Sequence, residues 1–286
     1  MELRGNYVAL VTPFKNGNVD FDALATLVED QIQGGVAGLV PCGTTGESPT
    51  LSHDEHDRVI VEVVRMAEGR VPVIAGTGSN STDECIKLTR HAEASGANAA
   101  LVVAPYYNKP PQEGLFRHYR AVAEASGLPL IVYNIPGRCG VEISTETMQR
   151  IAEHPRIVAV KEATGKVTNV SELRAKTDLA ILSGDDPLTL ASIALGASGV
   201  VSVISNLLPD RMTRLVSAAN EGEFATALRV HDELFPIMQA LMSLATNPIP
   251  IKTALAIKGR MREEFRLPLC AMEPSSRAAL EAIVGA

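Results

Sequence analysis

A (β/α)8 barrel of the TIM type with a C-terminal helical extension is predicted on three observations. Short apolar runs alternate with amphipathic stretches along most of the 286 residues, giving eight strand–helix units; eight such units close a barrel. The main rival, a doubly wound open sheet, calls for a Gly-rich dinucleotide loop after the first strand, and Thr12-Pro13-Phe14 stands there instead. Finally, residues 206–286 carry more helical pattern than one closing helix needs.

The strands are expected over 7–11, 38–42, 71–75, 99–104, 128–133, 157–161, 179–183 and 199–204, each a short apolar run of the kind buried on both faces of a parallel sheet. Helices fill the gaps, among them 20–33, 52–67, 82–94, 112–125, 144–152 and 188–195. Asp20 and Ser52 read as helix caps, the latter with Glu55 in a capping box. Further on, 211–219 and 224–244 look helical, Pro248 and Pro250 punctuate, and a helix resumes over 251–261. The expected organisation is a barrel over residues 1–222 with a helical region over 223–286 packed on it.

Composition narrows the function classes. The chain is 46% hydrophobic and 21% charged with a net charge of -7, and no basic stretch stands out. Nucleic acid is therefore not an expected partner, because phosphate binding wants concentrated Lys and Arg. No apolar run reaches membrane-spanning length, and the start, Met1-Glu2-Leu3-Arg4-Gly5-Asn6, lacks a cationic then apolar leader. The four cysteines, Cys42, Cys85, Cys139 and Cys270, form no CxxC. Reduced thiols in a cytoplasmic protein are the expectation.

In a barrel the carboxyl ends of the strands share one mouth, and the unusual residues gather there. Lys161 ends the run Ile157-Val158-Ala159-Val160. A buried lysine is costly unless its charge is paired or its amine is used. Desolvation lowers the amine pKa, and a neutral amine attacks carbonyl carbon. A plain ion pair with Glu162 or a neighbouring carboxylate is the alternative. Tyr133 ends the preceding strand, where a phenol can shuttle protons or simply cap the core. Gly43-Thr44-Thr45-Gly46-Glu47 follows the second strand; hydroxyls and amides between glycines suit a carboxylate, or an ordinary turn. Arg138, in Pro136-Gly137-Arg138-Cys139-Gly140, is either a bidentate carboxylate clamp or a solvated arginine. Asp185-Asp186 reads as loop hydrogen bonding more readily than as a metal site, and His53-Asp54-Glu55-His56 is not HExxH. No metal is expected. Cys42 reads as a core thiol.

Four segments in order, Gly43-Thr44-Thr45-Gly46-Glu47-Ser48, Tyr133-Asn134-Ile135-Pro136-Gly137-Arg138, Val158-Ala159-Val160-Lys161-Glu162-Ala163 and Leu182-Ser183-Gly184-Asp185-Asp186, closely resemble the dihydrodipicolinate synthase family of pyruvate-dependent class I aldolases. The similarity spans nearly the whole chain. It implies condensation of pyruvate with L-aspartate 4-semialdehyde, in diaminopimelate and lysine synthesis, through a Schiff base on Lys161 and without any cofactor. By the same resemblance Tyr133 is the acid/base, and Thr44 orients it in a relay with Tyr107 from a neighbouring subunit. Thr45 holds the pyruvate carboxylate and Arg138 that of the semialdehyde. Gly184 and Val201 line the pocket, Val201 replacing a frequent isoleucine. The implied assembly is a homotetramer of tight dimers, or a dimer. L-lysine is an implied feedback inhibitor at Ser48, His53, His56, Asn80, Glu84 and Tyr106, for which ordinary interface polarity is the bland reading. Another pyruvate-dependent aldolase or lyase on a 2-keto sugar acid is the alternative activity, although such lyases usually have serine at Thr44 and lack the Arg138 match. A non-catalytic pyruvate-binding barrel is the remaining one.

Overall fold

A computed structural model describes residues 3–285. Eight parallel strands form the barrel: β1 (Gly5–Ala9), β2 (Gly38–Val40), β3 (Ile74–Gly76), β4 (Ala99–Val103), β5 (Leu130–Asn134), β6 (Ile157–Glu162), β7 (Ala180–Ser183) and β8 (Gly199–Ser202). They pair in the order β2-β1-β8-β7-β6-β5-β4-β3, and a bridge between Leu39 and Val73 joins the two ends of that series. The predicted (β/α)8 architecture is thus what the chain adopts.

Strand alternation splits the core in two. Residues such as Tyr7, Ala9, Leu101, Ile131, Ala159, Leu182 and Val201 fill the inside of the barrel. Their neighbours, including Val8, Val102, Val132 and Val160, face outward onto the helices. Successive side chains on a strand point to opposite faces, so both sets are buried and the strands read as unbroken apolar runs.

The helices α1 (Phe21–Gln33), α2 (His53–Ala67), α3 (Thr82–Ala94) and α4 (Gln112–Ala125) fall where amphipathic spacing places them. Asp20 caps α1, accepting from the Ala23 amide, and Ser52 with Glu55 forms the full capping box of α2. Next come α5 (Pro136–Cys139), α6 (Thr145–Ala152), α7 (Thr168–Lys176), α8 (Thr189–Ala194) and α9 (Pro209–Asn220). After these, α10 (Phe224–Ser243), α11 (Ile249–Ile257) and α12 (Pro274–Gly285) form the C-terminal helices.

Boundaries shift at several elements, β1 to Gly5–Ala9 and α11 to Ile249–Ile257 among them, and three further details differ from expectation. The second strand stops at Val40, because Pro41 offers no amide and Cys42 turns left-handed at φ 56. The apolar run 71–75 pairs regularly only from Ile74. A small hairpin, Phe14–Lys15 with Asn18–Val19, follows β1 around Asn16-Gly17, both at positive φ.

Candidate active site

Lys161 sits at the end of β6, paired in register with Tyr133 of β5 on one side and Leu182 of β7 on the other. All three point into the barrel. Lys161 is 5% exposed, and its Nζ lies 4.1 Å from the centroid of the Tyr133 ring. The ion pair with Glu162 does not form. Alternation sends Glu162 to the opposite face, where its carboxylate accepts from the Thr164 amide at 2.8 Å. Burial pushes the Lys161 amine down to about 8, against the opposing pull of Asp185 and Asp186. Arg138 pushes in the same direction as burial.

Gly184 makes room for this lysine. A Cβ at that position would stand 2.6 Å from Ala163 Cβ and 3.1 Å from Lys161 Cε. The amide of Gly184 donates to the Glu162 carbonyl at 2.7 Å, tying the two strand ends together. Val201 is buried inside the barrel opposite Tyr7 in the register of β1 and β8. Asp186 serves the loop after β8, accepting from the Val203 and Ile204 amides at 3.0 and 2.8 Å.

The Tyr133 phenol hydrogen-bonds Thr44, and burial raises its pKa further above the ordinary phenol range. The loop carrying Thr44 and Thr45 is a compact turn. Gly46 and Glu47 amides donate to the Gly43 and Thr44 carbonyls, both at 3.1 Å. Its left-handed residues are Cys42 and Glu47, at φ 56 and 52, rather than the glycines. Among the described residues the Thr44 and Thr45 amides have no acceptor, which leaves two donors beside two hydroxyls at the mouth.

Asn247 is the residue that sequence reasoning missed. Its side-chain amide donates to Thr45 Oγ1 at 3.0 Å, and its carbonyl accepts from Arg138 at 3.0 Å. It joins the Thr44-Thr45 loop to Arg138. The Asn-Pro step just before α11 was its only signal in the sequence.

A cavity of about 380 Å³ opens onto this site. Thr44, Tyr133 and Arg138 line one part, and Ser48, His53, His56, Glu84 and Tyr106 line the continuation. Asn80 is not among the lining residues; its carbonyl accepts from Asn108 at 2.9 Å. His56 is anchored, its Nε2 2.9 Å from the Gly76 carbonyl, and burial lowers its pKa. Glu84 bridges to His53 at 3.1 Å and accepts from Ser79. Tyr107 stands apart from the pocket, 87% exposed at φ 73. Cys42 is a buried thiol at the cavity wall, its pKa pushed up by burial.

Comparison with known proteins converges on one family. The Dihydrodipicolinate synthetase family profile matches residues 2–286. The 4-hydroxy-tetrahydrodipicolinate synthase of Thermodesulfovibrio yellowstonii is 51% identical over 283 residues, 98% of this chain and 97% of that protein. Among solved structures, the chloride-inhibited dihydrodipicolinate synthase of Acinetobacter baumannii complexed with pyruvate superposes with a TM-score of 0.97 at 44% identity, covering 99% of this chain and 98% of that one. The enzyme of Cyanidioschyzon merolae with lysine bound superposes with a TM-score of 0.94 at 38% identity, covering 99% and 98%.

Proposed function

Because the chain belongs to the dihydrodipicolinate synthetase family, we propose that it is a 4-hydroxy-tetrahydrodipicolinate synthase, condensing pyruvate with L-aspartate 4-semialdehyde. The observation that carries this reading is Lys161, a buried amine at the barrel mouth, held over a tyrosine and without a carboxylate in ion-pair range among the described residues. With a pKa near 8, about one amine in ten is neutral at pH 7, against about one in three thousand at the usual 10.5.

The neutral Lys161 amine attacks the keto carbon of pyruvate, and water leaves to give the imine. The iminium draws electrons from the methyl group, which loses a proton to form the enamine. That carbon attacks the semialdehyde, whose aldehyde oxygen takes up a proton. The substrate amine then attacks the former keto carbon, closing the ring and expelling Lys161. The product is (2S,4S)-4-hydroxy-2,3,4,5-tetrahydrodipicolinate, with one water released.

Tyr133 moves the protons, kept protonated between steps by its raised pKa and oriented by Thr44. The Thr45 hydroxyl and the loop amides receive the pyruvate carboxylate. Arg138, exposed at the entrance, meets the carboxylate of the semialdehyde. Gly184, against the Lys161 stem, and Val201, inside the barrel, back the site without lining the cavity itself. Every step is carried by the imine, so the reading needs no cofactor. Tyr107 completes the relay from a neighbouring subunit; its exposure, and its absence from the lining of its own pocket, support this. A tight dimer follows, with pairing into a tetramer.

The pocket continuation supports a regulatory reading as well. Glu84 offers a carboxylate to an ammonium group, beside Ser48, His53, His56 and Tyr106, and the Cyanidioschyzon merolae relative is described with lysine bound. L-lysine is the proposed ligand there, with Asn80 at the margin.

Coupling to dihydrodipicolinate reductase tests the reaction. Pyruvate- and enzyme-dependent loss of NADPH is expected on adding L-aspartate 4-semialdehyde. No turnover with verified coupling enzyme and substrates would overturn the synthase reading in favour of another pyruvate aldolase or lyase.

A further inference from the structure

Lys161 has a counterpart that the chemistry above does not use. Lys252, in α11, is 0% exposed, and its ammonium donates to the fully buried carboxylate of Glu47. The Lys252 Nζ also lies 4.2 Å from the centroid of the Phe14 ring and 5.1 Å from that of Phe265. The second Glu47 oxygen faces the Arg266 amide at 3.4 Å. Arg266 in turn grips Glu55 through two bonds of 2.6 and 2.7 Å and donates to the Thr50 carbonyl at 2.9 Å.

A buried ion pair is a poor source of stability, since apolar residues of similar volume often do as well. Fixing a register is its best-attested use. Here the element fixed is the carboxylate loop. Glu47 closes that loop in a left-handed conformation uncommon for a residue with a side chain. Its amide donates to the Thr44 carbonyl at 3.1 Å, and its own carbonyl accepts from Thr50 Oγ1 at 3.1 Å. The N-terminal end of α11 therefore holds the loop at two points, Asn247 on Thr45 and Lys252 on Glu47. The two points are linked by the bond from the Lys252 amide to the Pro248 carbonyl, 3.0 Å.

We infer that Lys252, acting through Glu47, is a positioning residue that sets the Thr44-Thr45 loop for the pyruvate carboxylate and for Tyr133. It touches no substrate. The inference rests on the synthase reading above.

The test uses the full chain and three variants: Glu47→Gln, which keeps the shape and an acceptor but removes the charge; Lys252→Met; and Glu47→Gln with Lys252→Met. The last removes both charges, so its folding does not require a lone buried ion. Pyruvate is titrated against borohydride trapping of the imine, and steady-state constants are measured for both substrates. A misplacement of about 1 Å can cost ~100-fold. The pyruvate concentration for half-maximal trapping should accordingly rise about tenfold or more in the double variant, and less in Glu47→Gln. Half-saturation by the semialdehyde should stay within about twofold, because Arg138 is held by the Asn247 carbonyl and not by the ion pair. Glu47→Gln or the double variant binding pyruvate like the wild type overturns the positioning role while leaving the synthase reading intact. A wild-type protein that traps no pyruvate overturns both.

Discussion

Replacing Lys161 by methionine should abolish imine formation and make the protein more stable. The amine is 5% exposed, and burial lowers its pKa from 10.5 to about 8 in the folded state. At about 1.4 kcal/mol for each tenfold change, that shift costs the folded state roughly 3 kcal/mol at neutral pH. The folded amine binds its proton more weakly than the unfolded one. Between pH 8 and 10.5 the unfolded chain holds more protons, so this contribution to stability rises with pH across that window. Below pH 8 the penalty applies in full; above 10.5 it is gone. Methionine fills similar volume without a charge. The variant should therefore exceed the wild type by about 3 kcal/mol at pH 7, roughly 6 °C in Tm for a chain of this length. The gap should shrink as pH climbs from 8 to 10.5. Thermal and urea unfolding followed by circular dichroism, at matched protein concentration, measure it. A variant no more stable than wild type at pH 7, or a gap unchanged up to pH 10.5, would refute the claim that desolvation dominates this lysine.

Three further outcomes are expected. Gly184→Ala places a methyl 3.1 Å from Lys161 Cε and 2.6 Å from Ala163 Cβ; kcat should fall on the order of 100-fold with a loss of about 1–3 kcal/mol in stability, and undiminished kcat would show that the lysine tolerates displacement. Tyr107→Phe removes only a hydroxyl from a side chain 87% exposed, so Tm should hold while turnover drops about 100-fold; full activity would take Tyr107 out of the relay. L-lysine should release or absorb heat on isothermal titration and inhibit turnover at millimolar concentration, with Glu84→Gln weakening both; no heat and no inhibition would leave Ser48, His53, His56, Glu84 and Tyr106 as ordinary polar lining.

What could be read from the sequence was what lies close together along it. The eight apolar runs gave the barrel, and strand ends gave Tyr133 and Lys161, because one residue past an apolar run is where a barrel exposes its chemistry. Even there alternation had to decide. Glu162 follows Lys161 directly, yet a strand turns it to the other face, so the nearest carboxylate in sequence is not a partner in space. The glycines of Gly43-Thr44-Thr45-Gly46 pointed to a tight turn, and the backbone makes it with left-handed residues at Cys42 and Glu47, flanking them. Asn247 and Lys252 were out of reach for a different reason. Each meets the loop from about 200 residues away; the Asn-Pro step is the one local mark on Asn247, and nothing local marks Lys252. Lys252 lies in an ordinary apolar helix, Ile249–Ile257, where a lysine ordinarily reads as a solvated position. Only the packing of α11 beneath the loop turns it into a buried charge. Lys161, Tyr133, Thr44, Thr45 and Arg138 were therefore legible as candidates from local pattern and Tyr107 only through the family resemblance, whereas Asn247 and Lys252 depend on contacts no local pattern encodes.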